Sequence, residues 1–301
     1  MTTVESVLII ADIEGGSGCW SHKAAAYKTA EWVDACLDMT RDVAAVVRAL
    51  LDDGVRRVTV KDFHRTGYNI LPELIDSRAQ IVQGYRIGPV PGIGNPGNAV
   101  AVLFLGLHAA SGSTGFLAHT LTSRIRRLAV NGKLVPEVYL FAGSLAPFGV
   151  RPVFFSGCPV ACDQARDIIP GVATYPIDKS GDRPAFAAGH WRRGLARAAT
   201  AALHQANTAP FDPAGPFQVR ITMRDGKPAA KKLAARWGFE RQGADILFEN
   251  SRFEDLYLNL LRACYLTPAI ERVLPLALAA ANLRGRAGLA WLRRQVKKRG
   301  I

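Results

Sequence analysis

The residues of this chain with the most chemical reach stand immediately after apolar runs. Asp12 and Glu14 follow Val7-Leu-Ile-Ile-Ala11, Asp62 and His64 follow Val58-Thr-Val60, and His108 follows the run from Val100 to Leu105. In an extended segment residues i and i+2 point to the same side, so Asp12 and Glu14 bring two carboxylates together. Adjacent carboxylates repel unless a cation or a shared proton compensates them. Carboxylate and imidazole form a ligand set suited to Zn²⁺ or another divalent first-row metal. A pair of metals about 3.5–4 Å apart needs a bridging carboxylate and several terminal ligands, and this cluster can supply both. Either histidine alone reads as an ordinary imidazole of core or surface; their coincidence at successive run ends is what favours a common site.

The elements that position these residues follow from the same pattern. The three runs, apolar and rich in β-branched residues, predict buried strands of a parallel sheet. Between the first two, Val43, Val46, Val47, Leu50 and Leu51 recur at helical spacing, with Asp38 or Thr40 as candidate N-cap and Gly54 as the stop, which makes a βαβ unit. In open α/β sheets ligands bind beyond the carboxyl ends of the strands, where the acidic residues and histidines stand. A further strand is expected at Pro152–Phe155, a helix from Ala161 to Ile169, and an Ala-rich helix from Trp191 to His204. After a Pro-rich connector at 208–216 the pattern changes. Phe217, Val219, Ile221 and Met223 alternate with polar residues, as in a half-buried antiparallel strand, a second strand is expected at 244–248, and Phe253 to Cys264 reads as an amphipathic helix. The fold expected is therefore α/β, a largely parallel sheet flanked by helices over residues 1–210, with a smaller C-terminal α+β domain over 211–301 that ends in a basic helix.

Composition narrows the class. The 301 residues are 49% hydrophobic and 21% charged, which excludes a disordered or low-complexity chain. Five cysteines without repeated spacing argue against a secreted disulfide framework, and no signal-like run opens the chain, so a cytoplasmic location is expected. The net charge of +13 owes much to Arg284, Arg286, Arg293, Arg294, Lys297, Lys298 and Arg299, read chiefly as a solvated face. Leu289, Trp291, Leu292 and Val296 interleave those cations, so this tail is expected to form an amphipathic helix, exposed or docked on a neighbouring subunit in preference to a membrane, and no nucleic-acid partner is expected.

Two motifs are set aside. Gly92-Ile-Gly94-Asn-Pro-Gly97 spells a dinucleotide fingerprint, but a strand follows it and prolines interrupt it, so it reads as a loop. Cys158 and Cys162 have no redox or zinc-knuckle spacing and read as buried hydrophobes, while Cys19, near Asp12 and Glu14, reads as a pocket-lining thiol. His22, His190 and His204 are expected at the surface.

The ordered motifs Asp12-x-Glu14-Gly15, Asp62-x-His64, Gly106-x-His108, His119-Thr120, and Asn131-Gly132 followed by Glu137 resemble those of the D-aminopeptidases, binuclear zinc peptidases of the DppA type. The resemblance runs from residue 7 to about 265. It implies an α/β domain with a smaller β-containing domain, assembled into a ring-like homo-oligomer that cleaves a small peptide or amide substrate. It implies two zinc ions per subunit, with Mn²⁺ or Co²⁺ as alternatives. Carried over position by position, it implies that Asp12, Glu14, His64, His108 and Glu137 are the metal ligands, with Asp12 as the bridge. His119 corresponds to the non-ligand histidine near the reactive centre, where two cations would keep its ring neutral. Phe63, Arg65, Ala110, Pro136, Tyr139, Phe141 and Cys158 depart from the family pattern around these positions. Metal-dependent hydrolysis of another amide, acidic or γ-linked, and a basic module binding membrane or nucleic acid without catalysis are the alternatives.

Overall fold

A computed structural model of the chain describes residues 4–300. Its central sheet has six parallel strands: β1 (Ser6–Ala11), β2 (Arg57–Asp62), β3 (Gln80–Val82), β4 (Ala101–Leu107), β7 (Arg151–Gly157) and β8 (Ala173–Pro176), in the order β3-β2-β1-β4-β7-β8. Every residue of β1 and β4 is buried, because helices or a second sheet cover both faces. That is why these strands are continuous apolar runs rather than alternating ones. Within β1, Val7, Ile9 and Ala11 point into one core and Leu8 and Ile10 into the other.

The first core is closed by α1 (Ala30–Asp52) and α4 (Ala188–Gln205). Helix α1 starts about ten residues before the expected cap. Thr29 is its N-cap and accepts from the Trp32 amide, whereas Thr40 lies inside the helix and donates to the Cys36 carbonyl, and Asp38 is also internal. The second core is closed by α2 (Glu137–Leu145), α3 (Pro159–Ile168), α6 (Phe253–Cys264) and an antiparallel sheet. That sheet runs β10 (Glu240–Gln242), β11 (Asp245–Asn250), β9 (Phe217–Met223), β5 (Ile125–Val130), β6 (Lys133–Leu134), with α5 (Gly226–Trp237) packed on it. Three of its strands come from beyond residue 210, and β5 and β6 come from the chain between β4 and β7.

The chain ends with a short α7 (Pro268–Arg272) and a long α8 (Leu274–Lys298). Leu289, Leu292 and Val296 of α8 are buried in the first core, so the apolar side of the basic tail packs on its own chain. Trp291 stacks on Trp32 of α1 with ring centroids 6.1 Å apart. No helix among the described residues is long and apolar enough to cross a membrane.

Candidate metal centre

The strand order reverses between β1 and β4, the neighbours on either side of the point where a doubly wound sheet opens a crevice. Beyond β1 the chain stays against β4: the Asp12 amide donates to Leu105 O at 2.8 Å and the Gly15 amide to Gly106 O at 2.7 Å. This approach requires Gly106, which has a φ of 73° and whose absent Cβ would collide with the Asp12 carbonyl. Asp12, Glu14 and His108 are thereby held at one place.

His64 joins them from β2. The carboxylate of Asp62 turns away from the site: it accepts from the Asn69 and Ile70 amides and from the Asn69 side chain. Asn69 in turn donates to the His64 carbonyl at 2.6 Å and accepts from the Trp32 indole at 3.2 Å. The His64 ring is fixed at its far side, where Nε2 donates to Ala25 O at 3.0 Å. Its Nδ1 is thus aimed at the carboxylates, 3.1 Å from both Asp12 Oδ1 and Glu14 Oε2. His108 is oriented the same way, with Nδ1 donating to Ala109 O at 3.2 Å and Nε2 lying 3.5 Å from Asp12 Oδ2 and 3.6 Å from Glu137 Oε1. Such backbone anchors set the tautomer and direction of a metal-binding imidazole. Glu137, the first residue of α2, accepts from the Leu121 amide at 2.8 Å.

All five residues are buried, each at most 6% exposed. Their donor set fits a divalent cation on an independent observation: Glu14 Oε2 is buried and faces one imidazole nitrogen, His64 Nδ1 at 3.1 Å, which Asp12 Oδ1 shares. Two buried carboxylates that share one ring nitrogen are costly beside a third unless further positive charge meets them. Two groups of three have ligand atoms within 4.8 Å of one another, Asp12 with Glu14 and His108, and His108 with His119 and Glu137. His108 belongs to both.

Protons answer the same demand when no metal is bound. Burial pushes Asp12 up to about 6, helped by Glu14. Burial would lower His64, but the Glu14 and Asp12 carboxylates override it and raise the ring to about 10. A histidine raised this way stabilises the fold fully below its unfolded value of about 6.5, and that contribution is lost as pH rises through 10. Metal-stripped protein is therefore expected to lose thermal stability between about pH 6.5 and 10, and saturating Zn²⁺ to flatten the dependence. Scanning calorimetry across that range checks it; a flat profile in the stripped protein would show that no such imidazolium exists.

His119 reaches the site on a loop that folds back from β4, its amide donating to Ala109 O at 3.0 Å. Its ring stacks on His108 with centroids 3.7 Å apart. Nδ1 donates to Leu117 O at 2.8 Å, and burial together with His108 depresses the ring to about 4. A neutral ring held this way meets the reacting atoms at Nε2 as a proton acceptor, and becomes a donor only after it has taken a proton.

Other residues fall where expected or were not foreseen. Cys19 is buried beside the site, and burial, with Glu14, pushes its thiol up to about 12, so it carries no thiolate at neutral pH. Cys158 and Cys162 are buried as well, and His22, His190 and His204 are exposed. Gly92–Gly97 is a loop ahead of β4. Lys179 was not anticipated: its ammonium donates to the carbonyls of Gly16 and Cys19 and lies 4.5 Å from the Trp20 ring centroid, which fixes the turn after Glu14. Nothing in its polar surroundings, Asp178-Lys179-Ser180-Gly181, announces those contacts.

A doubly wound α/β protein with a buried carboxylate–imidazole cluster at its topological switch point is the class that fold and site define. The chain belongs to the D-aminopeptidase family, Peptidase_M55, whose model matches residues 6–260. It is 25% identical over 150 residues to a D-aminopeptidase of Bacillus subtilis, covering 50% of this chain and 54% of that protein, so it spans about half the length of that curated relative. The solved structure of the Zn-dependent D-aminopeptidase DppA from Bacillus subtilis, described as a self-compartmentalizing protease, superposes with a TM-score of 0.77 and 21% identity. That likeness covers 86% of this chain and 96% of the other.

Proposed function

We propose that this chain is a binuclear zinc aminopeptidase that hydrolyses a small peptide or amide and works as a homo-oligomer. The observation that carries the reading is the buried cluster in which Asp12 and Glu14 share one His64 nitrogen while His108 and Glu137 close in beside them. Membership of the D-aminopeptidase family, and a solved structure described as Zn-dependent and self-compartmentalizing, support it. Asp12, Glu14, His64, His108 and Glu137 would hold the metals. Asp12 suits the bridging place because one of its oxygens faces His64 and the other His108.

When bound, zinc supplies Lewis acidity toward the scissile carbonyl and makes water acidic enough to attack near neutral pH. The chain's own part is to hold these groups in a dry pocket and to handle the proton. His119, neutral and with only Nε2 free, takes the proton of the attacking water and returns it to the leaving amine. Its stack on His108 holds the ring where that transfer must occur.

The test is elemental analysis followed by a hydrolysis screen of L- and D-aminoacyl and γ-glutamyl amides with Zn²⁺, Mn²⁺ or Co²⁺. About two metal equivalents per chain and hydrolysis of D-aminoacyl amides are expected. Protein that binds no metal would refute the reading, and cleavage confined to γ-glutamyl amides would reassign the substrate.

A further inference from the structure

Helices α7 and α8 lie beyond the family match, which ends at residue 260, yet α8 reaches back to the two supports of His64. The first support is the peptide that joins Phe63 to His64, whose carbonyl accepts from the Tyr85 hydroxyl at 3.1 Å. Tyr85 is clamped by Asn282 of α8, which accepts from the Tyr85 amide at 2.9 Å and donates to the Tyr85 carbonyl at 3.0 Å. The second support is the Ala25 carbonyl, which accepts from His64 Nε2. Two residues on, the Tyr27 hydroxyl donates to the Arg284 carbonyl of α8 at 3.1 Å.

The sequence of α8 is shaped for this approach. Asn282, Gly285 and Gly288 stand at i, i+3 and i+6, and a Cβ at Gly285 would strike the Tyr68 ring while one at Gly288 would strike Tyr27. Glycine is the poorest helix former after proline, so two of them inside one helix reflect the need for close contact. Leu289, Leu292 and Val296 then anchor the helix in the core beneath α1.

We propose that α8 is a strap that positions His64, so that metal retention at the site depends on a segment outside the family core. Asn282 and Tyr85 are its positioning residues, and the inference rests on the reading of His64 as a ligand. Loss of such outer supports costs about 10–100-fold in metal affinity.

Zinc affinity, measured on the full chain by competition with a chromophoric chelator, tests the strap. Asn282→Ala and Tyr85→Phe are each expected to weaken one zinc equivalent about tenfold. The double variant should be little worse than the worse single one, because both act along one path. Arg293→Ala, which removes the ion pair of α8 with Glu73, should hold zinc as the parent does. Parent-like affinity in both Asn282→Ala and Tyr85→Phe would overturn the proposal, as would an equal loss in Arg293→Ala. Should Asn282→Ala fail to fold, Tyr85→Phe decides alone, since it removes only a hydroxyl. His64→Ala separates the two levels: retention of both equivalents there would defeat the ligand assignment itself, whereas loss of zinc there with unaltered affinity in the other variants would defeat only the strap.

Discussion

His108→Ala will cost metal and activity together. His108 Nε2 belongs to both groups of candidate ligands, lying 3.5 Å from Asp12 and 3.6 Å from Glu137. Its Nδ1 is committed to Ala109 O, so Nε2 is the one nitrogen it would offer to a cation. Its removal leaves Asp12, Glu14 and Glu137 facing one another across a buried space with less positive charge to meet them. The expected result is loss of at least one metal equivalent by elemental analysis. The Lewis acidity lost with it is worth several kcal/mol, and each 1.36 kcal/mol is a factor of ten, so kcat/KM should fall by about 10³-fold or more. Retention of the parent's metal content and turnover would remove His108 from the ligand set. Asp12→Asn should act in the same direction, because a neutral amide offers one carbonyl oxygen where a carboxylate offers two charged ones to two cations.

That the site could be approached from residue types alone reflects how a doubly wound sheet is built. β1, β2, β4 and β7 are buried on both faces, so they stand out as apolar runs, and the residues after β1, β2 and β4 necessarily meet at one edge. The short strands gave no such signal. β3 has three residues and β8 four, and β5, with exposed Arg126 and Arg127, pairs with β9 some ninety residues away. α2 is apolar on nearly every side and so shows no stripe, which left Glu137 to be found by its resemblance to a family motif rather than by pattern. α1 was read from its second half only. Its first half carries Asp34 and Asp38, with Asp42 just beyond, and all three look solvent-facing in sequence, yet Asp42 is buried against Ser17 and Arg192. The outer supports were invisible for a different reason. Ala25 and Leu117 act through backbone carbonyls, which no residue type announces, and Asn282 meets Tyr85 across 197 positions of chain.

Replacement of His119 separates proton transfer from metal binding, since its ring lies in reach of His108 and Glu137 and geometry alone would allow either role. Two features favour the proton. Its Nδ1 is committed to Leu117 O, and its ring lies flat on His108 at an interplanar angle of 13°. Side-by-side stacking points the two rings in parallel, whereas ligands of one ion converge on it. Burial beside His108 also lowers the ring's pKa to about 4, so at neutral pH its Nε2 is unprotonated and it adds no positive charge to a site proposed to hold cations. His119→Ala is therefore expected to fold, to keep both metal equivalents and to leave KM nearly unchanged. Its kcat should fall by about 10²–10⁴-fold, the usual contribution of a positioned acid–base group. Added imidazole, small enough to enter the space the ring leaves, should restore part of kcat with a dependence on its neutral form. A variant that loses one metal equivalent would make His119 a ligand, and one with the parent's kcat would leave the proton to the carboxylates.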